Sequence, residues 1–203
     1  MNTFNDTLTQ EIAAVAARCV VEEGADYGAA KRRAVKQMGL SPRTALPGND
    51  DIECAVRDYL DTFCAETQPA ELQALRVHAL IWMERLRAFR PHLAGAVWHG
   101  TATRLTDIYL QLFCDDAKSA EIALIDHRVH YVARSVSGFN GNIVDCLSVH
   151  SYCEPLALDI GVHLMTHATD ELRGALRPDA QGRKPRGDEM AVRQLLSGVT
   201  DAG

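Results

Sequence analysis

The sequence contains no Gly-x-x-x-x-Gly-Lys-Ser/Thr loop and no Gly-x-Ser-x-Gly elbow. The first absence argues against an ATPase or ligase that cradles phosphate in a P-loop; the second argues against a hydrolase built on a nucleophile elbow. None of the six cysteines stands in a Cys-x-x-Cys pair. Neither a structural zinc site nor a disulfide framework is therefore expected, and reduced, buried thiols in a cytoplasmic protein are. No apolar run approaches the roughly 20 residues of a membrane helix, and MNTFNDTLTQEIAAVAARC lacks a basic region followed by an apolar core. The expectation is no signal peptide and no membrane partner.

Positive charge is also in short supply. Lys and Arg number 21 against 27 Asp and Glu, a net charge of −6, so general nucleic-acid binding is not expected. The imbalance is local: residues 93–172 are acidic, whereas residues 173–203 are net basic. Arg173, Arg177, Arg183, Lys184 and Arg186 sit in or before a loop that would either clamp an oxyanion or lie in solvent.

What is present is an ordinary globular composition, 47% hydrophobic and 24% charged over 203 residues. That length suits one large domain or two small ones. Ile12, Val15, Ala16, Cys19 and Val20 recur at helical spacing and Gly24 supplies a stop. Asp26 reads as the cap of a second helix running to Gln37 or Met38, with Gly39 after it. Pro42, Pro47 and Gly48 make a loop, and Asp50 or Asp51 opens a helix with the stripe Ile52, Val56, Tyr59, Leu60, Phe63. A fourth helix follows Pro69 and buries Leu72, Leu75, Ala79, Trp82, Met83 and Leu86.

Beyond Pro91 the pattern changes. GAVW and DIYLQLF are too short for helices and read as strands. DDAKSAEIALID reads as a helix with Asp115 or Asp116 at its start and Ile122 and Ile125 on one face. VHYVARSVS, NIVDCLSVHSY and PLALDIGVHLMTH alternate as strands, and DEMAVRQLLSG closes the chain as a helix. The histidines His163 and His167 are four apart on one strand, roughly 13 Å, too far to share a metal, and no Cys or acid completes a familiar set. His99 has no apparent serine or cysteine partner.

This order of elements, with Gly100-Thr101 after the first apolar run and Asp107 heading the next, resembles the minimal nucleotidyltransferase superfamily over roughly residues 93–170. The resemblance implies an α+β protein, an N-terminal helical unit (1–92) packed on a small mixed β-sheet domain of nucleotidyltransferase type (93–203). It further implies that Gly100 and Thr101 approach phosphates, that Arg104 steadies them, and that Asp107 holds Mg²⁺. Asp159 or Asp145, each an acid flanked by apolar residues on a later strand, would complete the metal site. Such enzymes use paired Mg²⁺ ions to orient the triphosphate and stabilise the leaving pyrophosphate. The family pattern puts a second acid two residues after the first, where side chains share a strand face.

In this chain that position is Tyr109, and Gln111 follows on the same face. Neither a phenol nor an amide replaces a carboxylate on Mg²⁺ at neutral pH; Tyr109 would instead stack on a base or touch a phosphate. Two functions follow from the resemblance. One is Mg²⁺-dependent nucleotide binding or transfer to an unknown acceptor, with Asp107 and Asp159 catalytic. The other is a catalytically inactive relative that binds a nucleotide or a partner protein as a regulator.

Overall fold

Asp26 is extended, with φ −66° and ψ 156°, and its carboxylate accepts from the Ala29 amide at 2.9 Å. It thereby satisfies an amide that no helical carbonyl reaches and fixes the start of a helix. The computed structural model describes residues 3–116, 118–179 and 181–198. In it the chain divides into two compact units: one of residues up to Ala70 together with Thr101–Leu105, the other of Glu71–Gly100 and the chain from Thr106 onward.

The first unit is helical, with α1 Thr3–Glu23, α2 Tyr27–Gln37 and α3 Asn49–Phe63. Ile12, Ala16 and Cys19 of α1, Ala30 and Ala34 of α2, and Ile52, Val56 and Leu60 of α3 form its core. Gly24 ends α1 at φ +67°, and a Cβ there would stand 2.9 Å from the Leu105 carbonyl oxygen, so both the turn and the close approach call for glycine. The expected α3 stripe is narrower than its sequence suggests. Ile52, Val56 and Leu60 bury as an i, i+4 row, while Phe63 is 70% exposed and stacks tilted on Tyr59 at its flank.

The second unit carries most of α4 (Gln68–Arg85), then β1 His92–Ala94, α5 Gly95–His99, β2 Ile108–Cys114, α6 Lys118–Asp126, β3 Val132–Ser137, β4 Ile143–Cys153, β5 Leu158–Ala168, α7 Leu172–Ala175, β6 Arg186–Gly187 and α8 Glu189–Ser197. One six-stranded mixed sheet runs β3-β4-β5-β2-β1-β6. Only β2 and β5 pair in parallel, with Tyr109 opposite His163; the remaining pairs are antiparallel. The protein is thus mixed α/β.

The centre of one sheet face is apolar and buried. Leu110, Leu112, Val162, Leu164, Leu147 and Val149 alternate onto it and are 0–3% exposed. Here α4 docks through Trp82 Nε1, which donates to Ser151 Oγ at 3.0 Å, and His78 Nε2, 2.9 Å from the same oxygen. That anchoring explains why α4 groups with the sheet although its periodicity and position suggest a fourth member of a helical unit ending at residue 92.

Two more expectations need correction. GAVW is not a strand: β1 is the preceding His-Leu-Ala, and Gly95, at φ +71°, turns the chain into the short α5. In α6, Ile122 and Ile125 are 54% and 57% exposed, and Ala120 with Leu124 are buried instead. Both rows satisfy a helical period, so the period alone does not select which one faces inward.

Candidate functional site

The opposite sheet face is where chemistry collects. Strand alternation and register place Tyr109, Gln111 and Phe113 of β2 on it, with Gly161, His163 and His167 of β5, Cys146 and Ser148 of β4, and Arg134 of β3. Asp107, one residue before β2, sends its half-exposed carboxylate along this face. The Gly161 amide donates to Oδ1 at 3.1 Å, and His163 Nε2 lies 3.0 Å from Oδ2. Glycine is required at 161, because a Cβ there would fall 2.6 Å from the Asp107 carboxylate carbon.

His163 continues the chain of contacts. Its Nδ1 is 2.9 Å from Ser148 Oγ, its cross-strand partner, and 3.4 Å from an Arg134 nitrogen. Its ring lies against Tyr109, 4.8 Å between centroids and tilted by 36°. The hydrogen bond to Asp107, then that to Cys146, raise His163 to about 9 against the opposing effect of burial. The same bond from His163 holds Asp107 below the usual carboxylate range. Burial pushes the Cys146 thiol up, but hydrogen bonds with His163, Ser148 and Arg134 leave it below its ordinary value.

At neutral pH the pair is therefore an imidazolium bonded to a carboxylate. A protonated His163 donates from both nitrogens, so it cannot take a proton from Ser148, and the Asp107–His163–Ser148 row is not an activated serine nucleophile.

The remaining residues implicated by the sequence fall in several places. Tyr109 is 39% exposed beside His163. Asp159 is exposed on the same face as Gly161 and pairs with Tyr152 across the sheet. Asp145 alternates with Cys146 and so belongs to the opposite face, away from Asp107. Gly100 ends α5 at φ +85° and its amide donates to the Ala96 carbonyl at 2.9 Å, so that donor does not point at a ligand. Arg76 reaches the carbonyls of Val97 and Trp98, a cation at a helix C-terminus. Thr101 is buried and Arg104 exposed, both in the helical unit.

Asp107 thus meets an imidazole where a metal site would need a second carboxylate. Among the described residues no group of three or more His, Cys, Asp and Glu side chains is arranged to hold a metal ion. Ser148, Cys146, Arg134 and Gly161 were not candidates in the sequence, and His163 was weighed there only as a metal ligand alongside His167. Of the basic run, Arg183 pairs with Asp179 at 2.8 Å and Arg186 is buried in β6. No helix is long and apolar enough to cross a membrane among the described residues. No protein-family model and no curated protein matches the chain.

Proposed function

We propose that the protein is a nucleotide-binding regulator on a nucleotidyltransferase-like scaffold and that it works without a divalent metal. The observation that carries this reading is the Asp107–His163 ion pair: the carboxylate corresponding to the family's metal ligand is already neutralised by an imidazolium and a backbone amide. A cation at that position substitutes in charge for a metal but brings no open coordination site, so it supports binding rather than transfer. The half-exposed Tyr109 ring offers a stacking surface for a base, and exposed Arg134 offers a donor for phosphate. The order of β1, the short α5 that ends at Gly100-Thr101, and the strand headed by Asp107, followed by a helix and further strands, supports the scaffold.

Thermal-shift titration with ATP, CTP, GTP and UTP, in Mg²⁺ and in EDTA, tests the reading. A stabilisation of equal size in both buffers is expected, with binding weakened about tenfold in Tyr109→Ala, since base stacking contributes roughly 1–3 kcal/mol. A shift that needs Mg²⁺ and vanishes in Asp107→Ala would instead establish the transferase reading. No shift with any nucleotide would remove the nucleotide from the proposal.

A further inference from the structure

Beyond Gln111 the same sheet face carries two buried polar groups with unused hydrogen-bonding capacity. Arg186 on β6 is 7% exposed and His167 on β5 is 3% exposed. Among the described residues no carboxylate pairs with the Arg186 guanidinium. Its Nη1 donates to Gln111 Oε1, its Cζ sits 4.4 Å over the Phe139 ring, and its Nε has no hydrogen-bond partner. His167 Nδ1 is 3.2 Å from Glu171 Oε2, while Nε2 has none. The His167 ring touches Phe139 as well, at 4.8 Å between centroids.

A guanidinium buried without a counter-charge is costly, and an unpartnered buried donor adds to the cost. Native structures keep few such groups, and one that persists calls for a cause. Two of them converging on one aromatic ring point to something absent from the protein alone.

The protonation states say what that something must do. Burial lowers Arg186 to about 10, which still leaves it cationic at neutral pH. Burial also holds His167 below its ordinary value, only partly opposed by Glu171. Neutral His167 then donates from Nδ1 to Glu171 and presents a lone pair at Nε2. The ligand must therefore carry negative charge for Arg186 and a donor for His167. A carboxylate at neutral pH supplies only the first. Inorganic phosphate supplies both, since its monoanion and dianion each keep a P–OH beside P–O⁻; a monoester, with a second pKa near 6, supplies both only as its monoanion.

We propose that Arg186, His167 and Gln111, roofed by Phe139, form a binding site for a phosphate group. Phe139 belongs to the β3–β4 turn, where the Gly138 amide donates to the Asn142 carbonyl at 2.7 Å and Asn140 donates to Glu171 at 2.6 Å. One carboxylate thus orients His167 and ties down the roof. Phe139 is 36% exposed and forms the outer wall over these groups. The inference uses no residue of the Asp107 pair and stands apart from the nucleotide reading.

The test is the Arg186 Nε–H resonance in ¹H–¹⁵N spectra of the whole protein, titrated with inorganic phosphate, a phosphomonoester such as glycerol 3-phosphate, sulfate and acetate at matched ionic strength. The expected result is saturable movement with phosphate, at least tenfold weaker with sulfate, which has no proton to donate, and none with acetate. Movement with inorganic phosphate alone assigns the free ion; movement with the monoester as well assigns a phosphorylated metabolite or group. In a parallel thermal-shift series, Arg186→Gln and His167→Phe are expected to lose the phosphate response. A wild-type Arg186 signal that ignores phosphate, or answers phosphate and sulfate alike, overturns the proposal whether or not the variants fold.

Discussion

Trp82→Ala is expected to destabilise the protein by about 3–5 kcal/mol, the range for emptying a buried Trp site. The indole is 3% exposed against the buried centre of a sheet face, so little collapse is available to refill the space. Its Nε1 also donates to Ser151 Oγ, which faces His78 Nε2 as well. Trp82→Phe keeps one ring but removes the donor and the volume of the second ring, and a smaller loss of about 1–2 kcal/mol is expected. Urea denaturation followed by circular dichroism measures both. A loss below about 1 kcal/mol in Trp82→Ala would mean that α4 is not anchored to the sheet as described.

The second large effect is pH-dependent. His163 is raised to about 9 in the folded state, against about 6.5 in an unfolded chain. The folded state therefore binds the proton more tightly, so the stabilisation is complete below about pH 6.5 and fades as pH rises through 9. Asp107 has the opposite sign: its pKa is lowered, so its contribution is lost as pH falls below the carboxylate range. Both shifts describe one ion pair, so the pair stabilises most between about pH 4 and 6.5. The full shift would correspond to about 3 kcal/mol, and the half-exposed Asp107 partner reduces that through solvent screening to about 2 kcal/mol. Wild type is expected to lose that much more stability between pH 6.5 and 9.5 than His163→Gln, as read from urea midpoints at each pH. Parallel pH curves for the two proteins would contradict the ion pair.

Much of the architecture was readable from local chemistry. The Asp26 cap, the Gly24 and Gly39 stops and the i, i+4 rows in α1 and α3 each act within a few residues, so sequence spacing reports them directly. The alternating runs that became β3, β4 and β5 were equally plain. The failures differ in cause: GAVW turns locally at Gly95, whereas the placement of α4 and the inner row of α6 depend on contacts distant in sequence. Whether Ala120 and Leu124 or Ile122 and Ile125 face inward is settled by what lies against α6 and not by its own period.

The site is an acute case of the same limitation. Asp107 was identifiable as an acid heading an apolar strand. Its partner His163 lies 56 residues away, brought there by the single parallel pairing in the sheet, and no local pattern encodes that register. A signal did exist in hindsight: Gly161 and His163 are separated by two within an otherwise apolar strand, the spacing that puts a gap and a cation on one face. The neutral Tyr109 two residues after Asp107 was visible from the start; the imidazole that lies against it was not. Arg186 read as part of a basic run that would either clamp an oxyanion or lie in solvent; only its place in β6, opposite Ala94, buries it.

The central claim is that an imidazolium stands beside Asp107 and occupies its carboxylate. The most direct measurement is the pKa of His163, from the pH dependence of its Cε1–H resonance with Mg²⁺ present and with EDTA. A midpoint near 9 that is unchanged by Mg²⁺, and that falls by about 2 units or more in Asp107→Asn, is the predicted result. A midpoint at or below about 6.5, or one that Mg²⁺ displaces downward by competing for Asp107, would contradict the account.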